Sequence, residues 1–159
     1  MSGGTALGRS SGGTPLTESS SRFWVHVLAT TPDGTRAALI AARRLTDGVG
    51  ARITLLVPRI ASHGLAGSAT ADDQAALVDR YTSLATEVGA KVTVLVCVCW
   101  RPADVVRSLL GRASLVFVGG RCRRFWPSAE QRLASRLVAE GFAIVFAPID
   151  AETADLGLT

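Results

Sequence analysis

The sequence has a single lysine, Lys91, a single tyrosine, and two histidines, His26 and His63. Lone Lys91 is a poor basis for Schiff-base chemistry. It also sits outside any Gly-x-x-x-x-Gly-Lys-Ser/Thr loop, which excludes a lysine-dependent P-loop. Cysteine is equally sparse: Cys97, Cys99 and Cys122 make an odd count and give no disulfide framework. The longest apolar run, Val94 to Trp100, falls far short of the about 20 residues that a membrane-spanning helix needs. The N-terminus lacks the hydrophobic core of a signal peptide, so a cytoplasmic protein is expected. Also missing are a Gly-x-Ser-x-Gly elbow, a His-Glu-x-x-His pair and a glycine-rich dinucleotide fingerprint. These absences set the expectation that the chain is not an enzyme.

What is present is a globular composition. Of 159 residues, 48% are hydrophobic and 19% charged, enough for the core of one domain. The net charge of +4 comes from 17 basic and 13 acidic residues, and every basic residue except Lys91 is arginine. Arginine suits bidentate phosphate contacts, although much of it reads simply as solvated surface. Arg107 and Arg112 belong to such a face, and Asp104 to a helix start where its charge suits the dipole. His26 reads as a core or edge side chain of a strand, and His63 as a solvated loop residue. Cys97 and Cys99 fall on one side of a strand and read as small buried hydrophobes, with a redox or soft-metal pair as the sharper alternative. No spacing resembles a zinc site.

Residues 1–21 are rich in Gly, Ser and Thr and read as a disordered tail. Residues 22–148 read as the folded domain and 149–159 as a C-terminal tail. Strands are expected at Phe23–Ala29, Arg52–Val57, Lys91–Cys99, Ser114–Val118 and Ala143–Ala147, the second stopped by Pro58. A loop is expected over 58–70. The third strand is almost continuously apolar, as for a strand covered on both faces. Helices fill the gaps. One opens at Thr31-Pro32, one at a Thr70/Asp73 capping box, one at Pro102, and one at a Ser128/Gln131 capping box. Their inward faces are Ala38, Ala41, Ala42 and Leu45; Leu77, Tyr81, Leu84 and Val88; Val105, Val106, Leu109 and Leu110; and Leu133, Ala134, Leu137 and Val138. Strict alternation of this kind predicts an α/β fold, a five-stranded parallel doubly wound sheet of Rossmann-like form with right-handed crossovers.

Ligands of such sheets bind at the carboxyl ends of strands, where the strand order reverses. Two loops should meet there, Thr30 to Thr35 and Gly119 to Ser128. The second is a strand, a Gly-Gly turn, the run Arg121-Cys122-Arg123-Arg124-Phe125-Trp126, and a capped helix start, which is how α/β proteins build an anion site. The candidate binding residues are Thr30, Thr31, Gly119, Gly120, Arg121, Arg123, Arg124 and Ser128. Phe125 or Trp126 could stack on a base. The same run mixes cations and aromatics as single-strand binders do, but it is one short patch, and nucleic acid is not an expected partner. The arginines flanking Cys122 would favour a reactive thiol.

The chain resembles the universal stress protein family over roughly residues 23–148. The resemblance rests on Ala-Arg-Ile-Thr-Leu-Leu-Val at 51–57, Arg101-Pro102-Ala103-Asp104-Val105-Val106, Leu115-Val116-Phe117-Val118-Gly119 and Ala143-Ile144-Val145-Phe146-Ala147, in that order and spacing. It implies the adenine nucleotide alpha hydrolase-like form of the fold, with strand order 3-2-1-4-5, and a homodimer paired through the last strand. The family has an ATP-binding branch, with an aspartate ending strand one and a Gly-x-x-Gly-x9-Gly-Ser/Thr motif after strand four. Here Thr30 stands at the aspartate position, Gly119 matches the first glycine, Cys122 replaces the second, and no glycine occurs between Gly120 and Gly141. The expectation is a non-enzymatic regulatory or interaction protein with a degenerate nucleotide site. No cofactor is certain, ATP is the candidate, and no membrane partner is expected. The alternative is an adenine-nucleotide switch that uses the arginine loop.

Overall fold

A computed structural model describes residues 24–61 and 70–149. The N-terminal tail, Phe23, His63 and the C-terminal tail after Ile149 lie outside the described residues. Five strands alternate with four helices: β1 (Val25–Leu28), α1 (Pro32–Thr46), β2 (Ile53–Ile60), α2 (Ala71–Glu87), β3 (Val92–Cys99), α3 (Pro102–Leu109), β4 (Leu115–Gly120), α4 (Ala129–Ala139) and β5 (Ala143–Pro148). All pairings are parallel and the order is β3-β2-β1-β4-β5, as expected. The chain leaves β1 toward β2 on one side and returns later through β4 on the other. The order therefore reverses between β1 and β4.

Alternation along each strand divides the core into two layers. Val25, Val27, Leu55, Val57 and Phe117 face α1 and α2, together with Ala38, Leu39, Ala42 and Ala85 of those helices. Leu28, Leu56, Val116 and Val118 face α3 and α4, meeting Val105, Val106, Ala134 and Leu137. Helix starts are fixed locally. Thr31 caps α1 by accepting from the Gly34 N–H, and Pro32 takes the first helical position. Thr70/Asp73 and Ser128/Gln131 form the two expected capping boxes.

Several local expectations are corrected. β2 does not stop at Pro58 but runs on to Ile60. The Leu56 carbonyl faces β1, where it accepts from the Ala29 N–H, so Pro58 faces the same side two residues on. By then β1 has ended, and the missing proline donor has no strand to bond. β3 is an edge strand, with Leu95 and Val98 exposed, so its apolar run does not mean coverage on both faces. Leu45, Leu109 and Val138 are exposed rather than inward. Each lies in the last turn of its helix, and Leu39 takes the α1 core position instead. β4 includes Gly119 and Gly120, which pair with Ala147 and Pro148 as extended strand rather than forming a turn. Arg107 is not merely solvated. It bonds Asp104 on its own helix at 2.9 Å and Glu140, just after α4, at 2.5 and 2.6 Å, tying the two helices together.

Candidate functional site

The crevice between the carboxyl ends of β1 and β4 is where an α/β sheet of this order offers a ligand site. Thr30, Thr31, Gly119 and Gly120 all lie at it, yet each is engaged within the protein. The Thr30 hydroxyl donates to the Gly119 carbonyl at 2.7 Å, and its N–H donates to Thr35 Oγ1 at 3.0 Å. Thr31 is spent as the α1 cap. The first turn of α1 lies directly on the end of β4: a Cβ on Gly119 would overlap the Gly34 carbonyl, and one on Gly34 would reach the Gly119 carbonyl and sit 2.5 Å from Thr30 Oγ1. Neither glycine has positive φ, so what requires glycine here is close approach of two backbones. The α1 turn thus packs backbone against backbone on the end of β4 at the switch point.

The loop beyond β4 is held by a second set of contacts. Gln131, in the first turn of α4, folds its side chain back under the loop. Its Oε1 accepts from the Ser128 N–H at 2.9 Å and from the Arg123 N–H at 3.0 Å, and its Nε2 donates to Cys122 Sγ at 3.4 Å. Ser128 Oγ in turn accepts from the Gln131 N–H at 3.1 Å. The backbone donors that a phosphate would use at this helix start are thus partly taken by a neutral oxygen of the chain itself. Glu130 lies against Gly120, where an added Cβ would be 2.6 Å from its own Cβ. A carboxylate at the root of the loop opposes an anion there.

The guanidiniums take no part in these contacts. Arg121, Arg123 and Arg124 are exposed and have no ion pair or side-chain hydrogen bond among the described residues. Phe125 and Trp126 are 85% and 82% exposed, the two most exposed large hydrophobic residues described. The three arginines and Ser128 therefore share one loop without converging on an enclosed site. A groove of about 560 Å³ runs between α1 and the end of β5, lined by Asp33, Arg36, Arg44, Pro148 and others. Neither it nor two further hollows beside α1 and α2 are lined by any of the eight expected residues.

Other chemistry-bearing side chains take structural roles. Burial pushes the Cys97 thiol up from its ordinary range. It does the same for Cys99, with Asp104 and Cys97 adding to it. Both are less acidic than a free cysteine, which suits packing better than redox work. Among the described residues no three His, Cys, Asp or Glu side chains group as metal ligands. No described helix is long and apolar enough to cross a membrane. His26 is buried on β1, as its place in a strand suggested.

Gln131 and Glu130 are the residues of this site that the sequence reading missed in role. The Ser-x-x-Gln spacing located Gln131 as a cap, but its bond to Arg123 depends on how the loop curls back, which local spacing does not encode.

No protein-family model matches the sequence, and no curated protein does. Solved structures do. The chain is similar to a universal stress protein in complex with cAMP, with a TM-score of 0.55 and 14% identity over 81% of this chain and 99% of that one. A protein from the universal stress protein family of Burkholderia pseudomallei gives 0.53 and 16%, over 80% and 98%. The universal stress protein from Archaeoglobus fulgidus gives 0.52 and 11%, over 78% and 93%. At these identities the likeness is one of fold: the chain folds as a universal stress protein-like α/β domain.

Proposed function

We propose that this chain is a non-enzymatic regulatory or interaction protein of the universal stress type, whose nucleotide site has lapsed. The observation that carries this reading is the Gln131 side chain, which accepts from the Arg123 and Ser128 N–H groups where a phosphate would bind. The tight packing of Gly34 on Gly119 at the β1/β4 crevice supports it. A homodimer through β5 is part of the proposal. The β5 edge is unpaired among the described residues, Val145 on it is partly exposed, and the α1 groove runs alongside.

Calorimetric titration of the full chain with ATP, AMP and cAMP tests the site. The expected result is no heat of binding at micromolar concentrations. Sedimentation should give a dimer that Val145→Arg converts to monomer; a wild-type monomer would remove the dimer from the reading.

One observation favours a second reading, an adenine-nucleotide switch held by side chains alone. Three arginines with no ion pair among the described residues and two open aromatic faces offer phosphate contacts and base stacking, and one structure of similar fold is a cAMP complex. Micromolar affinity that Arg123→Ala and Arg124→Ala abolish would establish it and reject the lapsed site.

A further inference from the structure

The run from Arg121 to Pro127 presents two large aromatic side chains to solvent. Phe125 and Trp126 are adjacent and both more than four-fifths exposed. The residues on either side of them, Arg123 and Ser128, are held by the same Gln131 oxygen. The loop is therefore pinched at its base, with the aromatic pair at its apex. Three arginines without described partners surround them. Both rings keep more than four-fifths of their surface open, which side chains lining a hollow would not, so the patch is convex.

We propose that this loop is a contact surface for an anionic lipid bilayer. Trp and Phe are at home at the boundary between headgroups and acyl chains, where an apolar ring is buried beside polar groups. Arginines flanking them reach anionic headgroups while their stems stay on the apolar side. A convex apex suits insertion into a soft surface, whereas a strand of nucleic acid calls for bases laid along a groove. A second exposed group lies at the same end of the sheet. Ile60 and Trp100, 52% and 58% exposed, end β2 and follow β3 beside Arg59 and Arg101. Since all strands are parallel, the ends of β2 and β3 lie on the same side of the sheet as the loop after β4.

Acidic residues also stand at this end. Asp33 and Asp72 are exposed in the first turns of α1 and α2, Asp73 and Asp104 are held in helix-start hydrogen bonds, Asp104 also pairs with Arg107, and Glu130 lies at the loop's root against Gly120. Attraction therefore comes from the three loop arginines rather than from the rim as a whole. The contact is peripheral, distinct from a span, and does not rest on the nucleotide site being lapsed. One aromatic pair with three cations is a reversible anchor, since firm attachment takes more than one such signal.

The test is flotation of the full chain with vesicles of phosphatidylcholine alone and of phosphatidylcholine mixed with phosphatidylglycerol. It is read alongside binding of a labelled single-stranded oligonucleotide. The chain should float with the anionic vesicles only, and added salt should release it. Arg123→Ala and Arg124→Ala should each weaken binding roughly fivefold. Phe125→Ser with Trp126→Ser should weaken it roughly tenfold or more. All four side chains are exposed, so circular dichroism should show the variants folded. Failure to float with anionic vesicles would overturn the proposal, as would flotation that the Phe125/Trp126 variant retains. Capture of the oligonucleotide in preference to vesicles, through these same residues, would also overturn it. ATP titration is a separate readout, so neither result substitutes for the other.

Discussion

Gly34 and Gly119 meet so closely that neither has room for a Cβ. The Gly119 position would drive one into the Gly34 carbonyl, and the Gly34 position would drive one into the Gly119 carbonyl. Thr30 is the third member of the contact, since its hydroxyl donates to the same Gly119 carbonyl at 2.7 Å. The start of α1 is thus fastened to the end of β4, across the place where the strand order reverses. A ligand entering between them would have to lift the helix.

Gly119→Ala should therefore cost about 3 kcal/mol or more, because the obstruction is backbone and cannot rotate away. Urea denaturation should show a large drop in midpoint with little change in slope. A near-wild-type midpoint would mean that α1 moves off β4 easily, and the crevice would then be open to ligands in solution.

Thr35 is fully buried, and its Oγ1 accepts from the Thr30 N–H at 3.0 Å. Thr35→Val keeps the shape but removes the acceptor, leaving a partly buried donor unsatisfied. The expected loss is about 1–2 kcal/mol by denaturant titration. Neutrality would show that the Thr30 N–H finds water instead.

Gln131→Ala separates the two roles of that side chain. Losing the reciprocal cap should lower stability by about 1 kcal/mol. It should also free the Arg123 and Ser128 N–H groups, so phosphate or ATP should bind more tightly to the variant than to the wild type. Ser128→Ala is the control: it weakens the same cap while leaving Gln131 over Arg123. It should lose stability without gaining anion affinity. If calorimetry finds no gain in Gln131→Ala, the side chain is not what keeps anions out.

Gln131, Pro58 and Gly119 mark how far the sequence could be read. The element order, the parallel sheet and both capping boxes were legible because they depend on periodicity and on contacts three residues apart. Pro58 was misread as a stop because its tolerance depends on β1 ending one strand away. Gly119 reads locally as part of a turn, whereas it is extended strand pressed by a helix from elsewhere in the chain. The second bond of Gln131 crosses the whole loop. Thr30 shows the same limit: its position at the site was legible, but its engagement by Gly119, far along the chain, was not. What the sequence concealed was in each case set by a non-local partner.

His26 gives the fold a pH dependence that can be separated from its carboxylates. It is buried on β1, and its Nδ1 has no hydrogen-bond partner among the described residues. Burial lowers its pKa below the ordinary 6.5, and a hydrogen bond involving the Trp24 backbone only partly opposes this. The folded protein therefore binds fewer protons at this site than the unfolded chain does. Its contribution to stability is fully present above pH 6.5 and is lost as pH falls from there through the folded-state pKa. Glu140 acts in the same direction but lower. Its pKa is held below the ordinary 4.5, chiefly by hydrogen bonds from Arg107, so its share is lost only as pH falls below 4.5. Denaturation midpoints should thus begin to fall just below pH 6.5 in the wild type. In His26→Leu the fall should be delayed until carboxylates titrate. If both proteins lose stability in parallel from pH 6.5 downward, the imidazole is not the group responsible.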